Sequence, residues 1–145
     1  MSLTNNENTD GGAPTNPKGK PRPNRILVVD DEPSITRLLK LNLEKTGKYV
    51  VRAENGAVGA LAAAEEFCPN LILLDVAMPG MDGGELARRI KLSPKLDSVP
   101  IVFLTALTTK DEVSKSHGLI GGQFFLAKPV NMQEVLACLD QHLAA

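Results

Sequence analysis

The sequence predicts a doubly wound α/β domain, a five-stranded parallel sheet with helices on both faces. Three observations predict it. Five short apolar runs recur along the chain, at Arg25–Val29, Tyr49–Ala53, Leu71–Leu74, Pro100–Leu104 and Phe124–Ala127. Within three of them, Ile26–Val29, Leu71–Leu74 and Ile101–Leu104 are apolar without a break, the pattern of strands buried on both faces. Segments of helical spacing separate the runs, giving the order βαβαβαβαβα. Right-handed crossovers then place helices on both sides of the sheet.

Each helix has its own signal. Pro33 suits the first helical position after Asp31 or Glu32 as cap, and Ile35, Leu38, Leu39 and Leu43 follow at helical spacing. Val58, Leu61 and Ala62 mark a second helix that ends before Pro69. Leu86 and Ile90 mark a third, with Asp82 as its cap and Gly83 and Gly84 at its tight start. A short fourth falls near Lys110–His117. The fifth opens at Asn131 with Glu134 three residues on, and Met132, Val135, Leu136, Leu139 and Leu143 form one stripe.

Composition bounds the class. The chain has 145 residues, 43% hydrophobic and 23% charged, and a net charge of −1. That balance gives no broad basic surface for nucleic acid or anionic membrane. No apolar run reaches the length of a membrane-spanning helix, and the first residues lack the apolar core of a signal peptide. Cys68 and Cys138 are too few for a disulfide framework and are expected as buried free thiols. These features point to the cytoplasm. Residues 1–24 are rich in Asn, Thr, Gly, Pro and Lys and cannot bury enough surface to offset ordering, so they are expected to be disordered. The folded domain is expected over residues 25–145.

The polar residues that matter follow the strands. Asp30 and Asp31 come after the first, Asp75 after the third, Thr105 after the fourth and Lys128 after the fifth. Carboxyl ends of parallel strands share one edge of the sheet, and ligands bind where strand order reverses there. If the order is 2-1-3-4-5, Asp30, Asp31 and Asp75 converge. Three carboxylates in one crevice repel, and a divalent cation relieves them. All-oxygen ligation with few protein ligands suits Mg2+. A cation, an ammonium, a hydroxyl and an uncommitted carboxylate make a phosphoryl-transfer site, in which Asp75 is placed as the nucleophile that accepts the phosphoryl group. The turn Met78-Pro79-Gly80 then bends the chain away and leaves that carboxylate open.

The set Val29-Asp30-Asp31-Glu32-Pro33, Asp75-Val76-Ala77-Met78-Pro79-Gly80-Met81-Asp82-Gly83, Leu104-Thr105-Ala106 and Lys128-Pro129 resembles the CheY-like receiver domain of bacterial two-component response regulators. The match runs from about Arg25 to Leu143, with four motifs in order on the expected elements. The resemblance implies a flavodoxin-like (βα)5 fold of order 2-1-3-4-5. It implies Asp75 as phosphoacceptor, Asp31 as a direct Mg2+ ligand, Asp30 as a ligand through water and the Ala77 carbonyl as a third protein ligand. Thr105 would bond a phosphoryl oxygen, and Lys128 would pair with phosphate or carboxylate across a cis Lys128–Pro129 bond. The donor would be a sensor histidine kinase or a histidine phosphotransfer protein. Such a domain is no enzyme in the ordinary sense, but promotes its own phosphorylation and dephosphorylation. Thr105 and Phe125 would form the switch. They would alter the surface of the fourth helix, fifth strand and fifth helix, which partners or a second copy in a phosphorylation-dependent homodimer would read. Two departures are visible: Phe125 lacks the hydroxyl of the commoner Tyr, and the Gly118–Gln123 loop is about one residue longer.

Plainer readings exist for each residue. Asp31 suits a helix cap, Asp75 and Thr105 suit turns, Lys128 suits a surface, and His117 and His142 near helix ends suit the surface too. Of Phe124 and Phe125, alternation lets one face inward. Two other functions compete. A haloacid-dehalogenase-like phosphohydrolase also uses a strand-end Asp with Mg2+, but wants a second acid where Ala77 stands. A receiver-like scaffold that never takes phosphate would not need the acid, Thr and Lys together. A dinucleotide enzyme would want Gly-x-Gly-x-x-Gly after the first strand, where Asp-Asp-Glu-Pro-Ser stands.

Overall fold

The computed structural model describes residues 22–76, 78, 83–106, 119–120 and 123–143. The expectations for residues 1–21, Ala77, Asp82, His117 and the Lys110–His117 helix lie outside these residues.

Six strands form one sheet: β1 (Asn24–Val29), β2 (Tyr49–Glu54), β3 (Leu71–Asp75), β4 (Ile101–Thr105), β5 (Leu119–Ile120) and β6 (Gln123–Ala127). Their order is β2-β1-β3-β4-β6-β5. Five are parallel, and β6 is the fifth strand the sequence predicts. The two-residue β5, which pairs antiparallel with β6 at the edge, is an addition to the expected five. A two-residue strand carries too little pattern to read from sequence. The first strand begins at Asn24, one residue ahead of the expected boundary.

The unbroken apolar runs are buried on both faces as their composition requires. Ile26 to Val29 and Leu71 to Leu74 are all fully buried. Alternation then divides them between two cores. Ile26, Val28, Leu71, Leu73, Val102 and Leu104 face one side, under helices α1 (Pro33–Lys45) and α4 (Met132–Leu143), the latter being the fifth of the predicted helices. Leu27, Val29, Ile72, Leu74, Ile101 and Phe103 face the other, under α2 (Ala60–Phe67) and α3 (Gly83–Leu92). Two cores also explain why Phe124 and Phe125 both pack, where one inward-facing ring is expected. Phe124 joins the first core and meets the His142 ring edge-on at 4.4 Å. Phe125 joins the second and stacks on Phe103 at 5.4 Å.

The described helices stand where expected, but some of the residues expected on their buried faces are not there. In α1, Leu39 and Leu43 are fully buried, but Leu38 is 41% exposed. Glu32 is its N-cap residue and makes no side-chain cap bond, so neither Glu32 nor Asp31 serves as a capping side chain. In α2 the buried face is Ala60, Ala63 and Ala64. Val58 precedes the helix and is 97% exposed, and Ala62 is exposed too. Cys68 is exposed rather than buried, because it ends α2 in the left-handed conformation (φ 54°) and turns outward. Cys138 is half-buried, and burial pushes its thiol up to about 11, which keeps it unreactive. His142 is half-buried rather than on the surface, with Nδ1 2.9 Å from the Cys138 carbonyl oxygen. The α4 start is as expected, since the Glu134 N–H donates to Asn131 Oδ1 at 3.1 Å.

The outer edge of the sheet is protected. Among the described strands β2 lies at one end, and the outward backbone groups of Val51 are taken by an ion pair on α1. Lys40 Nζ donates to the Val51 carbonyl at 2.7 Å, and the Val51 N–H donates to Glu44 Oε2 at 2.9 Å. That occupies the site where another strand would add. No described helix is long and apolar enough to cross a membrane.

Candidate functional site

The parallel register brings the predicted residues together. Val29 pairs with Leu74, Asp75 with Leu104 and Thr105 with Ala127. Asp30, Asp75, Thr105 and Lys128 therefore sit at or one residue beyond four adjacent strand ends. Carboxylate oxygens of Asp30, Asp31 and Asp75 all lie within 4.8 Å of one another. Asp30 is fully buried, Asp75 is 4% exposed, Thr105 is 2% exposed and Asp31 is half-buried.

Lys128 reaches into this cluster from β6. Its Nζ is 2.9 Å from Asp30 Oδ2, 3.3 Å from Asp75 Oδ1 and 3.3 Å from Glu32 Oε1. Burial works against its charge. Asp30, then Asp75 and Glu32, outweigh that and raise its pKa above the ordinary lysine value, so the amine stays cationic at neutral pH. The Lys128 N–H donates to the Thr105 carbonyl at 2.8 Å, which continues the β4–β6 pairing to the site. The Lys128–Pro129 bond is cis, as the resemblance implies.

Local bonds fix the acids. The Asp30 N–H donates to the Glu54 carbonyl at 3.1 Å, and Asp30 Oδ1 accepts the Glu32 N–H at 2.9 Å. Asn55 Nδ2 donates to the Asp30 carbonyl at 2.8 Å and to Thr36 Oγ1 at 3.0 Å. Beyond Asp75, the Val76 N–H donates to the Leu104 carbonyl at 3.0 Å, and the Gly83 N–H closes the following turn on the Val76 carbonyl at 2.7 Å. Ala77, the predicted backbone ligand, lies outside the described residues.

The donor set fits a hard divalent cation. Among the described residues, three clustered carboxylates lie together beside the Lys128 ammonium. Asp30 Oδ2 is buried and lies 2.9 Å from the Lys128 ammonium. A carboxylate oxygen can accept more than one bond, so this one can also take a water bound to a metal.

Sequence reasoning missed two contributors. Glu32, expected as a possible cap, reaches Lys128 with its carboxylate. Asn55 was not singled out, although it follows β2 on the same edge of the sheet. Position after a strand was the available signal for it.

Comparison with known proteins agrees with this geometry. Residues 26–140 match the family model of the response regulator receiver domain. Protein PilH of Pseudomonas aeruginosa is 36% identical over 122 residues, covering 83% of this chain and 98% of that protein. The alkaline phosphatase synthesis transcriptional regulatory protein PhoP of Bacillus subtilis is 41% identical over 114 residues, covering 78% of this chain but 45% of that protein. Among solved structures, chemotaxis protein CheY4 of Vibrio cholerae superposes with a TM-score of 0.72 at 29% identity, covering 84% of this chain and all of that one. The receiver domain of a Pseudomonas aeruginosa sensor histidine kinase, solved with a magnesium ion in its active-site cleft, gives 0.71 at 26% identity, with coverage of 86% and 100%. The chain belongs to the response regulator receiver domain family.

Proposed function

We propose that this receiver takes a phosphoryl group onto Asp75 from the phosphohistidine of a sensor kinase or phosphotransfer protein. The observation that carries the reading is the convergence on Asp75: two further carboxylates within 4.8 Å and the Lys128 ammonium at 3.3 Å. In the transfer an Asp75 carboxylate oxygen bonds to phosphorus as the N–P bond breaks, and the imidazole leaves with that electron pair. Lys128 meets the negative charge of the incoming group, and Thr105 offers its hydroxyl to a phosphoryl oxygen.

Mg2+, when bound, neutralises charge on the transferring group. Asp31, which is half-buried, would hold it directly, and the resemblance to the family adds the Ala77 carbonyl as a further ligand. Asp30 is already engaged by Lys128 and by the Glu32 N–H, which suits support through water. Loss of an outer partner costs metal affinity about 10-fold or more. Asp31→Ala should therefore exceed that loss, and Asp30→Ala should cause the smaller one, in a calorimetric Mg2+ titration. Equal or reversed effects would mean that the two roles are exchanged.

Phosphate on Asp75 adds charge and acceptor oxygens, and Thr105 lies on the adjacent strand. Its movement would vacate space beside β6, where Phe125 already rests against the second core and Phe103. A ring without a hydroxyl stays inward without stranding a polar group, so Phe125 is biased inward before phosphorylation. The face around β6 and α4 is then the one that partners or a second copy read. The test of the whole reading is incubation with Mg2+ and acetyl phosphate, followed by intact mass. One acid-stable, base-labile phosphoryl group per chain is expected. Continuous turnover of many phosphoesters, or no labelling, would refute it.

A further inference from the structure

Lys128 is shared by three carboxylates, and the chemistry proposed above uses two of them. The third, Glu32, has no part in it. Glu32 stands at the N-cap of α1 and directs its carboxylate at an ammonium 96 residues away in sequence. Its Oε1 lies 3.3 Å from Lys128 Nζ, while its side chain remains 57% exposed. It therefore occupies the rim of the crevice, in solvent, directly beside the buried acids. Its backbone is fixed there by the bond from its N–H to Asp30 Oδ1 and by Pro33 after it.

Two consequences follow from this position. The ammonium that must meet the incoming phosphoryl oxygens is partly committed to Glu32. A small phosphodonor, an acyl phosphate dianion, must also pass a fixed negative charge at the mouth. We propose that Glu32 is a specificity-determining charge gate that slows phosphorylation of Asp75 by small dianionic donors. In that reaction an Asp75 oxygen bonds to phosphorus, the acyl O–P bond breaks, and the carboxylate leaves with the electron pair. A protein donor brings binding energy from its own interface, so one rim charge weighs less against it. The inference rests on the assignment of Asp75 as phosphoacceptor.

The test compares the full chain with Glu32→Gln and Glu32→Asp at saturating Mg2+, reading initial labelling by acetyl phosphate through intact mass. Saturating metal removes any effect of the charge change on Mg2+ affinity. Glu32→Gln should label about two- to fivefold faster at low ionic strength, the rate equivalent of an exposed ion pair. The gain should shrink towards unity near 1 M salt, where the screening length falls to about 3 Å. With phosphoramidate, a donor of lower charge, the gain should be smaller. Glu32→Asp keeps the charge on a shorter arm and should stay close to the parent. A structural role would change rates without the dependence on salt and donor charge. Glu32→Gln labelling at the parent rate or slower, or a gain indifferent to salt, overturns the gate. If the folded parent itself takes no label, the phosphoacceptor assignment falls and the gate with it.

Discussion

Asp75→Asn is expected to take acetyl phosphate labelling from one phosphoryl group per chain to none, while the chain stays folded. The amide matches the carboxylate in shape but is not nucleophilic and cannot form the acyl phosphate. Its neighbours do not substitute for it. Asp30 is buried and bound to Lys128 and the Glu32 N–H, and Asp31 is the residue assigned to the metal. Stability should change by no more than about 1 kcal/mol. The substitution relieves repulsion within the clustered carboxylates, while Lys128 loses one of its partners and keeps Asp30 at 2.9 Å. Thermal unfolding alongside mass measurement separates the two effects. A folded variant that labels at the parent rate would remove Asp75 from its role.

Much of this site is visible in the sequence because strand ends announce it. Three runs without polar breaks have to be central strands, and a charged residue after such a run has to emerge at the sheet edge. That places Asp30, Asp75 and Thr105 without knowledge of any contact, and Lys128 follows the fifth apolar run in the same way. The same logic finds both cores, since Ile26 and Leu27 must face opposite ways. Where side chains are small the signal fades. The α2 helix packs through Ala60, Ala63 and Ala64, which carry little hydrophobic contrast, and the larger Val58 lies outside it in solvent. Cys68 reads as helical until the left-handed turn at the helix end sends it outward.

Contacts that span the chain are illegible for a different reason. Glu32 and Lys128 are 96 residues apart, and Asn55 is 25 residues from the Asp30 carbonyl it holds. Nothing local to Glu32 or Lys128 distinguishes their bond from solvation, and for Asn55 the one local signal is its position after β2. The five-strand expectation omits β5 because two residues, Leu119 and Ile120, cannot display alternation.

Gly83→Ala should be among the most destabilising single-methyl additions in this chain. Gly83 opens α3 immediately behind the strand end that carries Asp75. A Cβ there would overlap the Asp75 backbone oxygen and come within 2.8 Å of the Val76 Cα, so the obstruction is backbone on both counts. No rotamer relieves it; α3 or the end of β3 must move. Overpacking of this kind costs about 1–3 kcal/mol, occasionally more, and for a domain of this size that lowers Tm by roughly 3–15 °C. The displacement also falls on the nucleophile. Asp75 Oδ1 sits 3.3 Å from Lys128 Nζ, and a shift of about 1 Å in such a site can cost on the order of 100-fold in rate. Labelling should therefore slow even at temperatures where the variant is folded. Gly56→Ala is the matched control, because a Cβ at Gly56 meets nothing within 4 Å. It should change stability by less than about 0.5 kcal/mol and leave labelling at the parent rate. Equal melting temperatures and equal labelling for the two variants would show that α3 yields to the added methyl without disturbing Asp75, and that the close approach does not set the geometry of the site.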